Sequence, residues 1–559
     1  MAQHQEDIND PATVASVPDG NEKGDGRMID MDALIGEARE AADKEHQMSL
    51  WEAVKLYPKA VGWSILLSTA LVMEGYDVVL IASLYGQYWE GGFAWRFGVP
   101  NPDKPGQWQI PAKWQAGLSN GANVGEIIGL FLNGIASERF GYRKTMIAAL
   151  FGVLCFVFIP FFAQNLATFQ VGEILCGICW GVFQTLTTTY AAEVCPVVLR
   201  YYLTTYVNLC WVMGQLIASG VLKAMANRPD EWAYRIPFAL QWMWPVPLII
   251  GVFLAPESPW WLIRKNRQED AANALRRLTS KYNTDEDIQK TVSMMIHTNS
   301  LDVQLTSGTS YWDCFKGTDL RRTEITAIVW SIQNLCGSSF QGYSTYFFEQ
   351  AGLSSNNAYS LSLGLYAVGF CGTVLSWFLM KFVGRRTLYV YGLLFIFIDL
   401  IITGSLGAAK TTTGTEWGIG ALLLVQTFLY DLTVGPACYS LVPELASNRL
   451  RTKQIVLARN LYNVFGIVNG VITPYMLNPL AWNWGAKAGF FWAGITFLCL
   501  VWTYFRLPEP KHRTYAELDI LFEKRIPARK FKSTKVNVYD IDQDELQGIS
   551  HTAAPMGEF

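Results

Sequence analysis

Twelve long apolar windows constrain the fold of this 559-residue chain more than any other feature of its sequence. A helix needs about 20 predominantly apolar residues to cross the hydrocarbon core of a bilayer. Because a backbone in lipid must satisfy its own hydrogen bonds, each window predicts a membrane-spanning helix. The windows lie near 60–82, 115–136, 145–164, 168–191, 203–225, 237–255, 324–347, 358–380, 388–408, 417–442, 456–477 and 485–506.

The composition agrees with a chain that lies mostly in a lipid bilayer. Hydrophobic residues make up 51% of the sequence and charged residues 16%, whereas about a quarter of a soluble domain is charged. A net charge of -3 gives no reason to expect a nucleic-acid partner. The sequence contains no nucleotide-binding loop, metal-ligand cluster or nucleophile arrangement, so we predict no enzyme, no cofactor and no metal. We predict an all-α membrane protein.

Polar segments divide the windows into two sets of six. Lys and Arg are concentrated in loops that would share one side of the membrane, which the positive-inside rule places in the cytosol together with both termini. The loop 87–113 would then face outward. The predicted parts are a cytosolic N-terminal tail (1–57), an N-terminal six-helix half (58–255), a cytosolic central loop with short helices (256–322), a C-terminal six-helix half (323–506) and a cytosolic C-terminal tail (507–559).

Three motifs occur twice, once in each half. ERFGYRKT (138–145) is echoed by KFVGRRTL (381–388), AEVCPVVLR (192–200) by PELASNRLR (443–451), and PESP (256–259) by PEP (508–510). Parallel halves related by an axis along the membrane normal are how one large group of secondary transporters is built, with the substrate near the midplane between the halves. The repeat predicts that arrangement.

The repeated motifs lie at the predicted cytosolic ends of helices. Basic and acidic side chains there can form pairs that break and re-form, as a gate requires. The alternative is that they are ordinary positive-inside anchors. The predicted cytosolic gate residues are Arg143, Glu193, Arg200, Glu257, Arg385, Arg386, Glu444 and Arg451.

The chain resembles the sugar-porter family of the major facilitator superfamily, and within it the fungal maltose and general alpha-glucoside proton symporters. The resemblance implies the major facilitator fold, with twelve transmembrane helices in two pseudo-symmetric halves. It also implies that a functional monomer in the plasma membrane imports alpha-glucosides, maltose first, by proton symport through alternating access. A hexose or other small-molecule facilitator of the same fold, and a non-transporting sugar sensor, are the alternatives. The motifs that carry the resemblance are EGYD (74–77), GYRK (141–144), the stretch 190–216, PESPWWL (256–262), GYSTYFFEQAG (342–352), GRR (384–386) and VPELASNRLRTK (442–453).

Four ionisable residues inside the windows form the predicted proton-coupling site: Glu74, Asp77, Glu126 and Arg459. Charges in a bilayer are costly and usually face a cavity or one another. Glu74 and Asp77 share a helix face, and neighbouring carboxylates raise each other's proton affinity. The resemblance places Asp77 at a position associated with proton coupling, where relatives pair an Asp with a fourth-helix Arg. Glu173 stands at that Arg position, so we expect Arg459 to be the counter-charge. The alternative is that Glu74 and Arg459 only anchor helix ends.

Amide and hydroxyl side chains form the predicted sugar site, because a sugar needs hydrogen-bonding partners and an aromatic face. The resemblance places paired amides in window seven, a Ser where many relatives have Asn, and a Tyr where hexose transporters often have Trp. The smaller side chains would leave room for a disaccharide. The alternative is that these polar residues join helices to one another. The predicted substrate-binding residues are Asn208, Gln215, Gln333, Asn334, Ser339, Tyr439 and Asn463. Asp399 and Asp431 receive no role.

Overall fold

The computed structural model describes residues 40, 44, 48–101, 106–226, 228–306, 310–410, 412–447, 450–511, 513 and 515–534. The parts of the two predicted tails before residue 40 and after residue 534 lie outside the described residues.

The N-terminal half consists of helices and one short hairpin. The strands β1 (Val99–Pro100) and β2 (Trp108–Gln109) pair antiparallel in the segment that joins the first two long helices. The helices are α1 (Leu50–Leu56), α2 (Pro58–Ser68), α3 (Ala70–Leu84), α4 (Phe93–Phe97), α5 (Ala112–Phe140), α6 (Tyr142–Phe156), α7 (Phe158–Phe162), α8 (Leu166–Val194), α9 (Val197–Met225), α10 (Trp232–Leu240) and α11 (Pro245–Leu254).

A central segment and the C-terminal half follow, again as helices. The central segment contains α12 (Pro259–Arg264), α13 (Gln268–Leu278) and α14 (Asp285–Thr306). The C-terminal half contains α15 (Gly317–Leu335), α16 (Ser339–Gly342), α17 (Ser344–Gln350), α18 (Ser355–Phe382), α19 (Arg385–Ala408), α20 (Thr413–Leu432), α21 (Val434–Leu445), α22 (Arg451–Leu477) and α23 (Ala488–Arg506), and the short helix α24 (Tyr515–Glu523) comes after it.

Within the described residues, ten helices or continuous helix pairs are long and apolar enough to cross a membrane, and they match ten of the predicted windows. The other two windows, 115–136 and 324–347, correspond to α5 and to the segment α15–α17. Helix α5 is more polar, with buried Asn120, Glu126 and Asn133. The segment α15–α17 is interrupted near Gly337, which has a φ of +81°. These two elements complete the two sets of six.

The two halves pack by the same plan, as the sequence repeat predicts. In the N-terminal half α3 packs on α9 and α5 on α8, and in the C-terminal half the equivalent helices α15 and α22, and α18 and α20, pack in the same way. The halves meet where α9 packs on α18 and α22 on α5. These two contacts are also equivalent, so the pseudo-two-fold axis runs between the halves.

Helices α5 and α8 approach each other closely at the centre of the N-terminal half. A Cβ atom at Gly125 would overlap the carbonyl of Ile174, and one at Gly181 would overlap the carbonyl of Glu126. Small residues of this kind let membrane helices approach until their backbones touch. The crossing brings Glu126 of α5 beside the segment of α8 that carries Gln184.

The bundle has two distinct ends. We call the end that carries the segment 85–111 the loop face, and the end that carries Gly141, Glu257, Gly384 and Glu509 the motif face. The residues after α23 return to the motif face, where Leu521 and Phe531 are completely buried. The described residues of the C-terminal tail (507–511, 513 and 515–534) therefore cover part of the motif face of the C-terminal half.

Candidate functional site

Four carboxyl side chains are buried at the centre of the N-terminal half. The exposed fraction is 0% for Glu74, 2% for Asp77, 4% for Glu126 and 1% for Glu173. They lie on α3, α5 and α8. Buried charges are stable only where they are paired or hydrogen-bonded, so the partners of each carboxyl indicate its role.

Glu74 is linked to Arg459 of the other half through one amide. Gln184 on α8 donates from Nε2 to Oε1 of Glu74, and its Oε1 accepts a hydrogen bond of 3.1 Å from Nε of Arg459. Glu126 also lies within electrostatic range of Glu74 and Arg459. Three members of the predicted proton-coupling site are therefore together, between the halves. The sequence prediction did not include Gln184.

The guanidinium of Arg459 lies among aromatic rings. Its Cζ is 4.6 Å from the ring centre of Tyr462 and 5.4 Å from that of Trp330. Cation–π contacts of this kind stabilise a desolvated guanidinium. Arg459 is thus a central residue of the interface, in contrast to the alternative that it only anchors a helix end.

Asp77 has a different set of partners. Gln241, which precedes α11, donates from Nε2 to Oδ1 of Asp77 at 2.5 Å, and the carboxyl of Glu173 lies beside that of Asp77. The structure therefore divides the predicted set into two groups, with Glu74, Glu126 and Arg459 in one and Asp77 in the other. The expectation that Arg459 replaces the fourth-helix Arg as the direct partner of Asp77 does not agree with this arrangement, because Gln184 and the aromatic rings occupy the guanidinium.

Three of the predicted sugar-binding residues have amide atoms that are buried and lack a hydrogen-bond partner among the described residues: Nε2 of Gln333, Nδ2 of Asn208, and both Nδ2 and Oδ1 of Asn463. Oε1 of Gln333 accepts from the hydroxyl of Tyr430 at 3.1 Å, which fixes the orientation of the amide. Buried polar atoms in proteins are nearly always satisfied. These atoms therefore mark places where water or a polyhydroxylated ligand can bind.

The other four predicted sugar-binding residues are placed differently. Asn334 donates to the carbonyl of Tyr462 at 2.8 Å, so its amide joins two helices of one half. Tyr439 packs edge-to-face on Trp330 with ring centres 5.7 Å apart. Ser339 is the first residue of α16, and Gln215 is partly buried on α9. Of these four, Tyr439 adjoins the aromatic group around Arg459.

Two of the predicted gate carboxylates, Glu193 and Glu444, accept hydrogen bonds from side chains at equivalent positions of the repeated motif. Arg385 donates to Glu444 at 3.0 Å, and the hydroxyl of Tyr142, at the position matching Arg385, donates to Glu193 at 3.0 Å. Arg264 adds an ion pair of 2.8 Å to Glu193. None of these three contacts joins one six-helix half to the other. Tyr142 and Arg264 were not predicted, because the comparison of the two halves drew attention to charged residues that occur at matching positions in both.

Three of the remaining gate residues, Arg143, Arg386 and Glu257, bind backbone groups. Arg143 lies 3.5 Å from the carbonyl of Ala255, and Arg386 donates to that of Tyr504 at 2.8 Å. The carboxylates of Glu257 and Glu509 accept from backbone amides that begin α6 and α19. Burial raises the pKa of Glu257 above its ordinary value, although these hydrogen bonds oppose the change. Arg451 begins α22, and the side chain of Arg200 lies outside the described residues.

Comparison with known proteins gives the family. Residues 63–522 match the family model described as "Sugar (and other) transporter", which is most of the chain. The chain belongs to this family. It is therefore a multi-pass membrane transporter rather than an enzyme, as the sequence predicted.

Several yeast permeases are similar to this transporter over most of their length. The alpha-glucosides permease MPH3 of Saccharomyces cerevisiae is 45% identical over 521 residues, which cover 92% of this chain and 86% of the permease. The maltose permease MAL31 of the same yeast is 44% identical over 516 residues, 91% of this chain and 83% of the permease. Its general alpha-glucoside permease is 43% identical over 532 residues, 94% and 85% of the two chains.

Solved structures show the same fold. The proton:xylose symporter XylE bound to 6-bromo-6-deoxy-D-glucose superposes with a TM-score of 0.68 at 20% identity, and the match covers 83% of this transporter and 99% of that chain. The inward open conformation of the xylose transporter XylE from E. coli gives a TM-score of 0.67 with the same identity and coverage. The predicted major facilitator fold is confirmed.

Contacts between the halves of the transporter close the loop face. The hydroxyl of Tyr359 donates to the carbonyl of Ser83 at 2.9 Å, and Asn478 donates to the carbonyl of Ile110 at 3.1 Å. Lys223 also donates to the carbonyl of Asn356 at 2.8 Å. Each bond joins one half to the other, so they would have to break for the loop face to open.

Proposed function

We propose that this transporter imports alpha-glucosides, with maltose as the first candidate, by proton symport through alternating access. The observation that carries the proposal is the group Glu74, Glu126 and Arg459, in which carboxyls of one half and a cation of the other meet at the interface that alternating access must rearrange. The names of the yeast permeases, each more than 40% identical over most of both chains, support the substrate class.

The sugar would bind beside this group. The unpartnered amides of Gln333 and Asn463 offer donors and acceptors for sugar hydroxyls, and the rings of Trp330 and Tyr439 offer an apolar face. All four residues lie on helices of the C-terminal half. The substrate would thus contact mainly the C-terminal half, while the proton would bind carboxyls of the N-terminal half.

The motif face would act as the gate on the cytosolic side. The loop face is held together by hydrogen bonds between the halves, whereas the ion pairs of Glu193 and Glu444 at the motif face do not join one half to the other. This supports a state that is closed at the loop face. The proposal also includes cytosolic termini, the five-part division of the chain at 57, 255, 322 and 506, residence in the plasma membrane, and function as a monomer.

Uptake of labelled maltose with simultaneous recording of external pH tests the proposal. Cells that express the transporter but have no other maltose uptake should take up sugar and protons together. Purified protein in vesicles should accumulate maltose above equilibrium when an inward proton gradient is imposed. Equilibration without accumulation would indicate a facilitator, and no maltose movement with an intact protein would overturn the substrate assignment.

A further inference from the structure

Gln184 occupies a position that no sequence motif indicated. Its side chain is 8% exposed and lies between a carboxyl of one half and a guanidinium of the other. A carboxylate only accepts hydrogen bonds and a guanidinium only donates them. Nε2 must therefore face Glu74 and Oε1 must face Arg459, as observed. The amide is a directional link between two groups of opposite charge.

The surroundings of Glu74 contain one cation and several acidic groups. Arg459 and Tyr462 face it from α22, Tyr439 from α21 and Glu126 from α5. The indole ring of Trp211 on α9 also lies beside it. Asp77 lies one turn away from Glu74 on the same helix, and its carboxyl interacts electrostatically with that of Glu126. Arg459 is the cation among these groups, so its distance from Glu74 determines how strongly it opposes proton uptake by this carboxyl.

A direct ion pair between Arg459 and Glu74 would work against transport in two ways. A cation in contact with a carboxyl strongly favours the ionised form and so opposes proton uptake. A desolvated ion pair between the halves would also hold them together, because each charge would be left unpaired when the halves part. An interposed amide keeps the two groups connected at a greater separation.

We propose that Gln184 is a positioning residue for proton coupling, a role that rests on the proposed symport. Its amide connects Arg459 to Glu74 but prevents their direct pairing, so the carboxyl can take up a proton and the halves can separate. When Glu74 is ionised, the bond from Nε2 is charge-assisted and strong. When Glu74 takes up a proton, this bond weakens, and the hold of the N-terminal half on Arg459 weakens with it.

The test is the pH profile of proton-driven maltose accumulation by purified full-length protein in vesicles. In Gln184→Ala, Arg459 can move onto Glu74, so the pH of half-maximal accumulation should fall by about one unit. Gln184→Asn, an amide too short to reach both partners, should move the profile in the same direction by a smaller amount. Glu74→Gln, which cannot take up a proton at this position, should lose accumulation while exchange of maltose survives, and adding Gln184→Ala to that variant should not change the pH dependence of the exchange.

Gln115→Ala is the matched control, because Gln115 is completely buried and donates to the carbonyl of Ile110 at 3.1 Å, near the loop face. It should lower the melting temperature without moving the pH profile. An unchanged profile in both Gln184 variants, with a wild type that accumulates maltose, overturns the role of Gln184 alone. A wild type that accumulates nothing overturns the symport and this inference with it.

Discussion

Glu257 and Glu509 make the same contact in the two halves of the molecule. Each carboxylate accepts a backbone hydrogen bond of 3.0 Å from the first residue of the helix that begins at the repeated glycine motif, α6 for Glu257 and α19 for Glu509. The first amides of a helix have no partner within the helix, and its dipole favours a negative charge there. The repeated PESP and PEP motifs thus supply caps to helices that begin more than a hundred residues earlier in the chain.

The first prediction concerns the glycine beside this cap. Gly384 has an ordinary negative φ, but a Cβ atom there would overlap Oε2 of Glu509. Gly384→Ala should displace the carboxylate and lower the stability of the purified protein by about 1–2 kcal/mol, the usual value of a helix cap. The melting temperature in detergent measures this.

Gly494→Ala is the control for that substitution. Nothing lies within 4 Å of a Cβ atom at Gly494, and alanine is a better helix former than glycine. Its melting temperature should be equal to or above that of the wild type. If both variants lose the same stability, the steric argument for Gly384 is wrong.

The second prediction concerns the C-terminal tail. Arg322 is 4% exposed and donates to the carbonyls of Leu445 at 3.0 Å and Ala446 at 3.2 Å, while it forms an ion pair with Asp519 of α24. It therefore fastens the start of α15, the end of α21 and the tail helix together. Arg322→Ala should cost about 1–3 kcal/mol, because buried carbonyls lose their donor.

Limited trypsin digestion distinguishes this role from a general loss of stability. In Arg322→Ala the residues 507–534 should become accessible, and cleavage there should come before cleavage of the central segment. Lys316→Ala is the control, since Lys316 is 74% exposed and its pair with Asp313 is worth little. A tail that stays protected in Arg322→Ala would contradict the prediction.

How much of this could be predicted from the sequence depends on the kind of signal. The apolar windows and the internal repeat predicted the fold correctly, because both signals extend over long segments of the chain. The break at Gly337 was not predicted, since residues 325–347 on either side of it contain no proline and no charged residue. The internal repeat and the family resemblance likewise predicted the candidate residues, but not which of these residues contact one another.

The two amides that organise the carboxyls were not predictable. Gln241 is the single amide of the window 237–255, and Gln184 shares the window 168–191 with Gln170 and several threonines. Polar residues in such windows most often join two helices. What distinguishes the two amides is their partners, Glu74 and Asp77, which lie on a different helix. Because Glu74 and Asp77 share a helix face, the sequence predicted a single group of carboxyls. In the structure the two residues pack against different neighbouring helices, so they belong to two separate groups.

The third prediction tests the sugar site. Nε2 of Gln333 is buried with no oxygen or nitrogen acceptor among the described residues and only the thiol of Cys438 beside it, while Oε1 is held by Tyr430, so the amide is oriented to donate to a ligand. Gln333→Ala should weaken sugar binding by about 1–3 kcal/mol, or roughly 5- to 150-fold in the half-saturation concentration. Surface abundance should stay normal. An unchanged half-saturation concentration for every transported sugar would remove Gln333 from the site.

The last prediction concerns Asp77, the carboxyl of the second group, which the proposed symport also requires to take up a proton. Asn is nearly the same shape as Asp, so in Asp77→Asn the side-chain oxygen can still accept from Gln241. Arg459 is occupied by Gln184 and by aromatic rings, so the substitution leaves no cation without its partner. We therefore expect normal folding and normal surface abundance. Exchange of maltose between two equilibrated sides should survive, while accumulation driven by a proton gradient should vanish, because an amide cannot take up the proton.

Asp399→Asn is the matched control, since Asp399 is also a buried carboxyl, 4% exposed, but lies on α19 away from the group. It should leave accumulation intact. Both variants are to be measured for surface abundance, exchange and accumulation in the same preparation. Normal abundance with normal accumulation in Asp77→Asn would contradict a coupling role for Asp77 and leave Glu74 and Glu126 as the proton site. Loss of exchange together with accumulation, at normal abundance, would instead mean that Asp77 is needed for the halves to move at all. Only the loss of accumulation alone fits a carboxyl whose task is to carry the proton.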